Sequence, residues 1–246
     1  MASVFLSDVE LYYTNKPIVG NQISIEGEEC HHILDVMRHN VGDLVYVTDG
    51  KGTIYKSSIT SIEKKRVSAE IIESTEYENK LAGICFCIPR LKSADRFEYA
   101  LEKSVELGIT NFIVFDSTRT VAKGEKIERW EKILIAAMKQ SLRAWLPKVS
   151  YVKNFSEIFK LSGIKILFDQ NAGQTLNSLM PILNSKFAIS NYFFIFGPEG
   201  GFTEDELRLS AEAGIENSEL RISLAENRLR SETAIVTAAS ILSTTL

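Results

Sequence analysis

Glycine and charged residues converge in two short segments near the C-terminus. Tyr192-Phe193-Phe194-Ile195-Phe196 reads as a buried strand, and Gly197-Pro198-Glu199-Gly200-Gly201 follows it directly. Three glycines in five residues let a backbone approach a ligand closely. Phe202-Thr203-Glu204-Asp205-Glu206 then opens a helix, with Thr203 and Glu206 at the spacing of a capping box. In open α/β sheets, ligands sit beyond the carboxyl ends of the strands, where this loop would lie. A tight strand-to-helix turn is the competing reading. The loop matches neither GxGxxG nor GxxxxGK[ST], so a dinucleotide or nucleoside-triphosphate site is not supported.

The second segment runs Ile222-Ser223-Leu224-Ala225-Glu226-Asn227-Arg228-Leu229-Arg230-Ser231-Glu232-Thr233-Ala234. Ser231 is a plausible N-cap for a last helix. Glu232 would then occupy the first turn, where the helix dipole favours a carboxylate. Ala234, Ile235, Ala238, Ala239 and Leu242 share one side of that helix. The competing reading is a well-capped helix with solvated Arg228 and Arg230.

These loops need a scaffold. From Leu81 onward, apolar runs alternate with amphipathic stretches: strands are expected at 81–88, 109–115, 149–152, 164–168, 192–196 and 220–224. Helices are expected from Phe97 to Val105, over 126–145, from Glu204 to Ala213, and from Ser231 to Leu242. This alternation predicts a parallel α/β sheet flanked by helices. Residues 1–75 read instead as a small β-rich unit. There Val45-Tyr46-Val47 and Ile54-Tyr55 flank the turn Asp49-Gly50-Lys51-Gly52. Cys30, Ile33, Leu34 and Met37 predict one short helix within it. The polar stretch from Glu73 to Lys80 lacks periodicity, so the second domain is expected over 76–246.

Bulk composition narrows the classes. The 246 residues are 45% hydrophobic and 24% charged, near ordinary globular values. Three cysteines, Cys30, Cys85 and Cys87, give no disulfide framework and fit a reducing compartment. No signal peptide or membrane span is expected, which makes a soluble cytosolic protein the expectation. The net charge of −4 counts mildly against a nucleic-acid partner, and only clustering of the 28 basic residues offsets it. Such clusters exist: Arg129, Lys132, Lys139 and Arg143 on one helical stripe, Arg90, Lys92 and Arg96 at a strand end, and Lys64-Lys65-Arg66. A solvated face is the competing reading for each. Adjacent Cys30-His31-His32 cannot all face one metal, and no metal site is expected.

Taken together, GPEGGFTEDEL and LRSETA resemble the signature of the ribosomal RNA uridine-N3 methyltransferase family, of the SPOUT class. Further segments resemble the family in order: His31 to Arg38, Asp49-Gly50, Lys92 with Asp95-Arg96, Lys103 to Gly108, and Gln140-Ser141 with Arg143. The resemblance implies a trefoil-knotted SPOUT sheet preceded by a PUA-like RNA-binding β-barrel, with S-adenosyl-L-methionine as cofactor and homodimeric assembly. The implied substrate is N3 of a uridine in small-subunit (16S) rRNA, free or within the assembled 30S particle. Candidate cofactor residues are then Phe168, Gly197, Pro198, Glu199, Gly201, Ile222, Ser223, Leu224, Asn227, Leu229 and Thr233. Arg230 is the candidate charge stabiliser, with Glu232 or Glu199 as proton acceptor. Candidate RNA contacts are His31, Arg38, Arg90, Lys92, Arg96, Arg129, Lys139 and Arg143. Ala225, Asn227 and Arg228 depart from the family pattern and alter the cofactor rim. Two alternatives stay open: another SPOUT RNA methyltransferase, acting on a ribose hydroxyl or a tRNA base, and a non-catalytic RNA-binding ribosome-assembly factor.

Overall fold

The computed structural model describes residues 9–179, 181, 191–212 and 221–245. The chain forms two compact units: Met1–Asn79 with Ile135–Leu146, and Lys80–Leu134 with Pro147–Leu246. Residues 1–8 and the outer ends of two expected elements, Ala213 and Leu220, lie outside the described residues.

The first unit is a five-stranded sheet in the order β1-β3-β4-β5-β2. Its strands are β1 (Leu11–Tyr13), β2 (Gln22–Glu26), β3 (Leu44–Thr48), β4 (Thr53–Glu63) and β5 (Arg66–Glu76). The expected hairpin forms: Thr48 pairs with Ile54 across the Asp49-Gly50-Lys51-Gly52 turn. Both of its glycines have positive φ, 75° and 100°, where an L side chain is disfavoured. The edges of the sheet approach each other where the Thr14 hydroxyl donates to the Ser24 carbonyl, 2.7 Å away. Tyr12, Ile23, Ile25, Ile33, Val47 and Val67 fill the space this curl encloses.

Two expectations are corrected here. The helix α1 (Gly27–His31) passes into a π turn over His32–Val36. The Met37 N–H donates to the His32 carbonyl five residues back, and the extra residue in the turn carries Met37 off the buried stripe into solvent. The helix expected over 126–145 is α3 (Ile127–Gln140). It stops because Leu142 takes a left-handed φ of 55°, and the Ser141 hydroxyl donates to the Ala137 carbonyl (2.6 Å). The chain after the stop belongs to the first unit, where Trp145 covers Gly52 and donates its indole N–H to the Tyr77 carbonyl (2.7 Å).

The second unit is a seven-stranded sheet in the order β10-β12-β9-β11-β6-β7-β8. All its pairings are parallel. The strands are β6 (Ile84–Pro89), β7 (Asn111–Phe115), β8 (Lys148–Val152), β9 (Ile164–Phe168), β10 (Gln174–Thr175), β11 (Tyr192–Ile195) and β12 (Arg221–Ser223). β11 inserts between β9 and β6, so it is flanked on both edges and every residue in it is buried. That explains its unbroken apolar run. Helix α2 (Ala94–Glu106) begins at Ser93, whose hydroxyl accepts from the Arg96 N–H (3.4 Å), and Gly108 (φ 99°) follows it. Two further helices, α4 (Glu204–Glu212) and α5 (Ser231–Thr245), follow β11 and β12. No helix among the described residues is long and apolar enough to cross a membrane.

Candidate active site

A cavity of about 740 Å³ opens at the carboxyl ends of β9, β11 and β12, where ligands bind in parallel sheets. Its floor is aromatic. Phe168, at the end of β9, stacks on Phe196, which extends β11, with ring centroids 4.6 Å apart and planes 14° apart. Its walls are the glycine loop and the segment from Leu224 to Ser231.

Each glycine of the loop answers a constraint inside the protein. A Cβ on Gly197 would lie 3.2 Å from the Phe202 ring, and one on Gly200 would lie 3.2 Å from the stem of Arg119. Gly201 has open space around it but a φ of 69°. The loop's far end is held by the expected capping box. The Thr203 N–H donates to Glu206 Oε2 (2.8 Å), and the Glu206 N–H donates to the Thr203 hydroxyl (3.2 Å). Glu206 does more than cap: its Oε1 accepts from the Ser117 hydroxyl and the Thr118 N–H, each at 2.9 Å. Burial alone would raise the Glu206 carboxyl, but these donors together hold it below its ordinary value.

The two loops are tied to each other. The Ser231 hydroxyl donates to the Gly197 carbonyl (3.0 Å). This corrects the N-cap expectation for Ser231: the hydroxyl serves as a cross-loop donor, and the Ala234 N–H reaches the Arg230 carbonyl (2.9 Å), so Arg230 stands at the start of α5. Ser231→Ala should lower stability by about 1 kcal/mol, the usual worth of such a bond, and weaken ligand binding at the cavity; urea unfolding with calorimetry reads both. Arg230 lines the cavity, and its guanidinium has no partner among the described residues. Glu199 also lines it and accepts the Lys92 N–H at Oε1 (2.9 Å). Glu232 does not. It faces Arg96, a cavity residue, at 3.6 Å, and its Oε2 is buried without a hydrogen-bond partner among the described residues.

Of the other expected cofactor residues, Gly197, Pro198, Gly201, Ile222, Leu224, Asn227 and Leu229 line the cavity. Ser223 and Thr233 do not. Ser223 is buried instead, and its hydroxyl donates to the Gln174 carbonyl (3.1 Å). Thr233 is exposed on the first turn of α5. The departures Ala225 and Arg228 sit on the rim, where Arg228 donates to the Glu199 carbonyl at 3.4 Å.

The expected RNA contacts are dispersed. Arg96 and Lys92 lie beside the cavity, both exposed. Arg90 is corrected: it is 7% exposed, its guanidinium packs on the Trp130 ring (5.3 Å) and the Phe97 ring (5.7 Å), and it donates to the Gly124 carbonyl. The strand end that carries it turns inward, beneath α2 and α3. Arg129 is paired with Glu98 and Lys139 with Glu29. Arg143 lies beyond the end of α3, off the helical stripe on which it was expected, and is exposed. His31 pairs with Asp35, and Arg38 is exposed at a left-handed φ of 57°. Among the described residues, no group of three or more His, Cys, Asp or Glu could hold a metal.

Three charged cavity residues were not announced by any motif: Arg119, Asp169 and Arg221. Asp169 follows β9 and pairs with Arg221 on β12, while its N–H donates to the Ile222 carbonyl (2.9 Å). For Asp169, directly past the carboxyl end of β9, that position was the available signal.

Known proteins share this arrangement. Residues 78–243 match the model of the RNA methyltransferase domain, and residues 25–72 match that of the RNA methyltransferase PUA domain. The chain is 33% identical over 232 residues to Ribosomal RNA small subunit methyltransferase E of Bacillus subtilis, covering 89% of each chain. It is 30% identical over 198 residues to the protein of that name from Aquifex aeolicus, covering 78% of this chain and 82% of the relative. The crystal structure of Ribosomal RNA small subunit methyltransferase E from Neisseria gonorrhoeae bound to S-adenosyl methionine superposes with a TM-score of 0.81 at 28% identity, covering 96% of this chain and 97% of that one. With matching domain models over both parts of its length and the cavity at the expected strand ends, the chain belongs to the RNA methyltransferase family, with a PUA-like N-terminal domain.

Proposed function

We propose that this protein transfers a methyl group from S-adenosylmethionine to N3 of a uridine in small-subunit ribosomal RNA. The observation that carries the reading is the cavity between the two tied loops, in a chain whose relatives are small-subunit rRNA methyltransferases. The residues present fit the cofactor. A volume of about 740 Å³ suits a ligand of that size. The Phe168–Phe196 floor offers a flat apolar surface to a purine, and the loops offer main-chain polar groups along its edge.

S-adenosylmethionine, when bound, supplies an electrophilic methyl on a sulfonium. The chain must do the rest. Uridine N3 carries a proton and is a poor nucleophile until it is removed. Arg230, at the cavity and without a partner among the described residues, donates to the uracil carbonyl on which negative charge develops. Glu199 is the nearer proton acceptor, since it lines the cavity and keeps one oxygen clear of the Lys92 N–H. Glu232 acts one step back by orienting Arg96. Arg96, Lys92 and the first unit, with His31 and Arg38, offer contacts to RNA phosphates and bases, which predicts affinity that falls steeply with salt. Homodimeric assembly, a trefoil-knotted chain path and work in the cytoplasm on free rRNA or the 30S particle complete the proposal; family membership supports them.

Calorimetric titration with S-adenosylmethionine tests the cofactor, beside Gly201→Trp, which sets an indole on the cavity wall at a φ that L side chains avoid. Saturable binding that the variant loses is expected. Absence of binding by folded wild-type protein would overturn the reading and favour a non-catalytic assembly factor. Nucleoside analysis of treated rRNA then decides the position: 3-methyluridine is expected, and a ribose-methylated product would reassign the substrate atom.

A further inference from the structure

Arg119 has no role in the function proposed above, yet it touches the glycine loop more closely than any other charged residue. It sits in a turn just past β7. The Thr120 N–H donates to the Ser117 carbonyl (3.1 Å), and the Ser117 N–H donates to the Thr120 hydroxyl (3.1 Å). Glu206 anchors the same turn through Ser117 and Thr118. From this fixed base the Arg119 stem crosses Gly200, and its Nη1 donates to the Gly200 carbonyl (2.7 Å) and the Phe202 carbonyl (3.2 Å).

The consequence follows from peptide planarity. A trans peptide points its C=O and the next N–H in opposite directions, so fixing both ends fixes the plane. Arg119 holds the Gly200 carbonyl, and the Gly201 N–H on the same plane donates to the Pro198 carbonyl (2.8 Å). Arg119 also holds the Phe202 carbonyl, and the Thr203 N–H on that plane donates to Glu206. Two of the loop's peptide planes are thus pinned at both ends. The Gly200 and Phe202 N–H groups are left without a protein partner among the described residues, beside a cavity both residues line.

We propose that Arg119 is a positioning residue: it sets the glycine loop so that the free N–H groups of Gly200 and Phe202 face S-adenosylmethionine. This rests on the cofactor reading above. Its side chain also explains why position 200 is glycine, since a Cβ there would meet the Arg119 Cβ at 3.2 Å and Cδ at 3.3 Å.

The test is steady-state kinetics and calorimetry on full-length wild type, Arg119→Ala and Arg119→Lys. Arg119→Lys keeps a stem over Gly200 but loses the planar fork. For Arg119→Ala, the KM and Kd for S-adenosylmethionine should rise about tenfold or more, the equivalent of about 1.4 kcal/mol. The kcat at saturating cofactor should stay within about threefold, and Arg119→Lys should fall between. Lowered Tm and lowered kcat with an unchanged KM would mark a merely structural role and overturn the proposal. So would an unchanged cofactor Kd with weakened RNA binding and a shallower salt dependence, the signature of a lost phosphate contact. Should Arg119→Ala fail to fold, the KM of Arg119→Lys decides alone. Wild-type protein that binds no cofactor in the same titration would sink the cofactor reading itself, whereas wild-type binding with unaltered variants sinks only the positioning role.

Discussion

Arg230→Ala should reduce kcat for methyl transfer by about 100- to 1,000-fold, the usual loss when one preorganised donor to a developing anion is removed. The side chain is exposed at the cavity and has no partner among the described residues, so nothing else in the fold depends on it. Stability should therefore move by no more than about 0.5 kcal/mol, and cofactor affinity should hold within a few-fold. Arg230→Lys should recover part of the rate, because an ammonium keeps the charge but not the two-pronged geometry. Single-turnover methylation with a ribosomal RNA substrate separates the chemical step from binding. Full activity in the alanine variant, at unchanged RNA affinity, would remove Arg230 from the mechanism and turn attention to Arg96 and Arg228.

Glu206→Ala should destabilise the protein by about 3 kcal/mol, since it strips the acceptor from one buried donor and two partly buried ones at once. The Ser117 hydroxyl and the N–H groups of Thr118 and Thr203 would lose their partner together. For a chain of this size that is a fall in Tm of roughly 10 °C. The effect has a pH signature. The folded Glu206 carboxyl lies below its ordinary value of 4.5, so its contribution is present in full above that pH and is lost as pH falls through the lower folded value. The stability gap between wild type and Glu206→Ala should be flat from about pH 6 to 8 and narrow below about pH 4. Urea unfolding at several pH values reads it. A gap that grows on acidification would mean that Glu206 is protonated in the native state. Cofactor binding should weaken too, because the anchored turn carries Arg119.

Much of the scaffold was legible because it rests on local rules. The unbroken apolar run Tyr192 to Phe196 announced a strand buried on both faces, and it pairs with neighbours on both edges. Thr203 and Glu206 announced a capping box three residues apart, and both of its bonds are present. The hairpin at Asp49-Gly50 followed from turn chemistry. Such signals involve residues within a few positions of one another. Where local rules failed, a longer-range or finer competitor prevailed. Met37 kept helical spacing but lost its place to a π turn. Arg90 looked like a surface cation, yet Trp130, forty residues on, offers its ring to the guanidinium. Arg143 fitted the stripe of α3 until Leu142 left the helical region.

The candidate site divides along the same line. Residue order alone placed the glycine loop after a central strand and the arginine-bearing loop before the last helix, because strand-turn-helix punctuation is written in consecutive residues. It could not show that the three glycines serve Phe202, Arg119 and a left-handed φ, nor that Ser231 spends its hydroxyl on Gly197. Nor could it show that Arg119, some eighty residues upstream, grips the same loop. Those partners meet because parallel strands bring their carboxyl ends to one edge of the sheet whatever their separation along the chain. Which side chains then share a carbonyl is settled by distances in space that no spacing in sequence encodes.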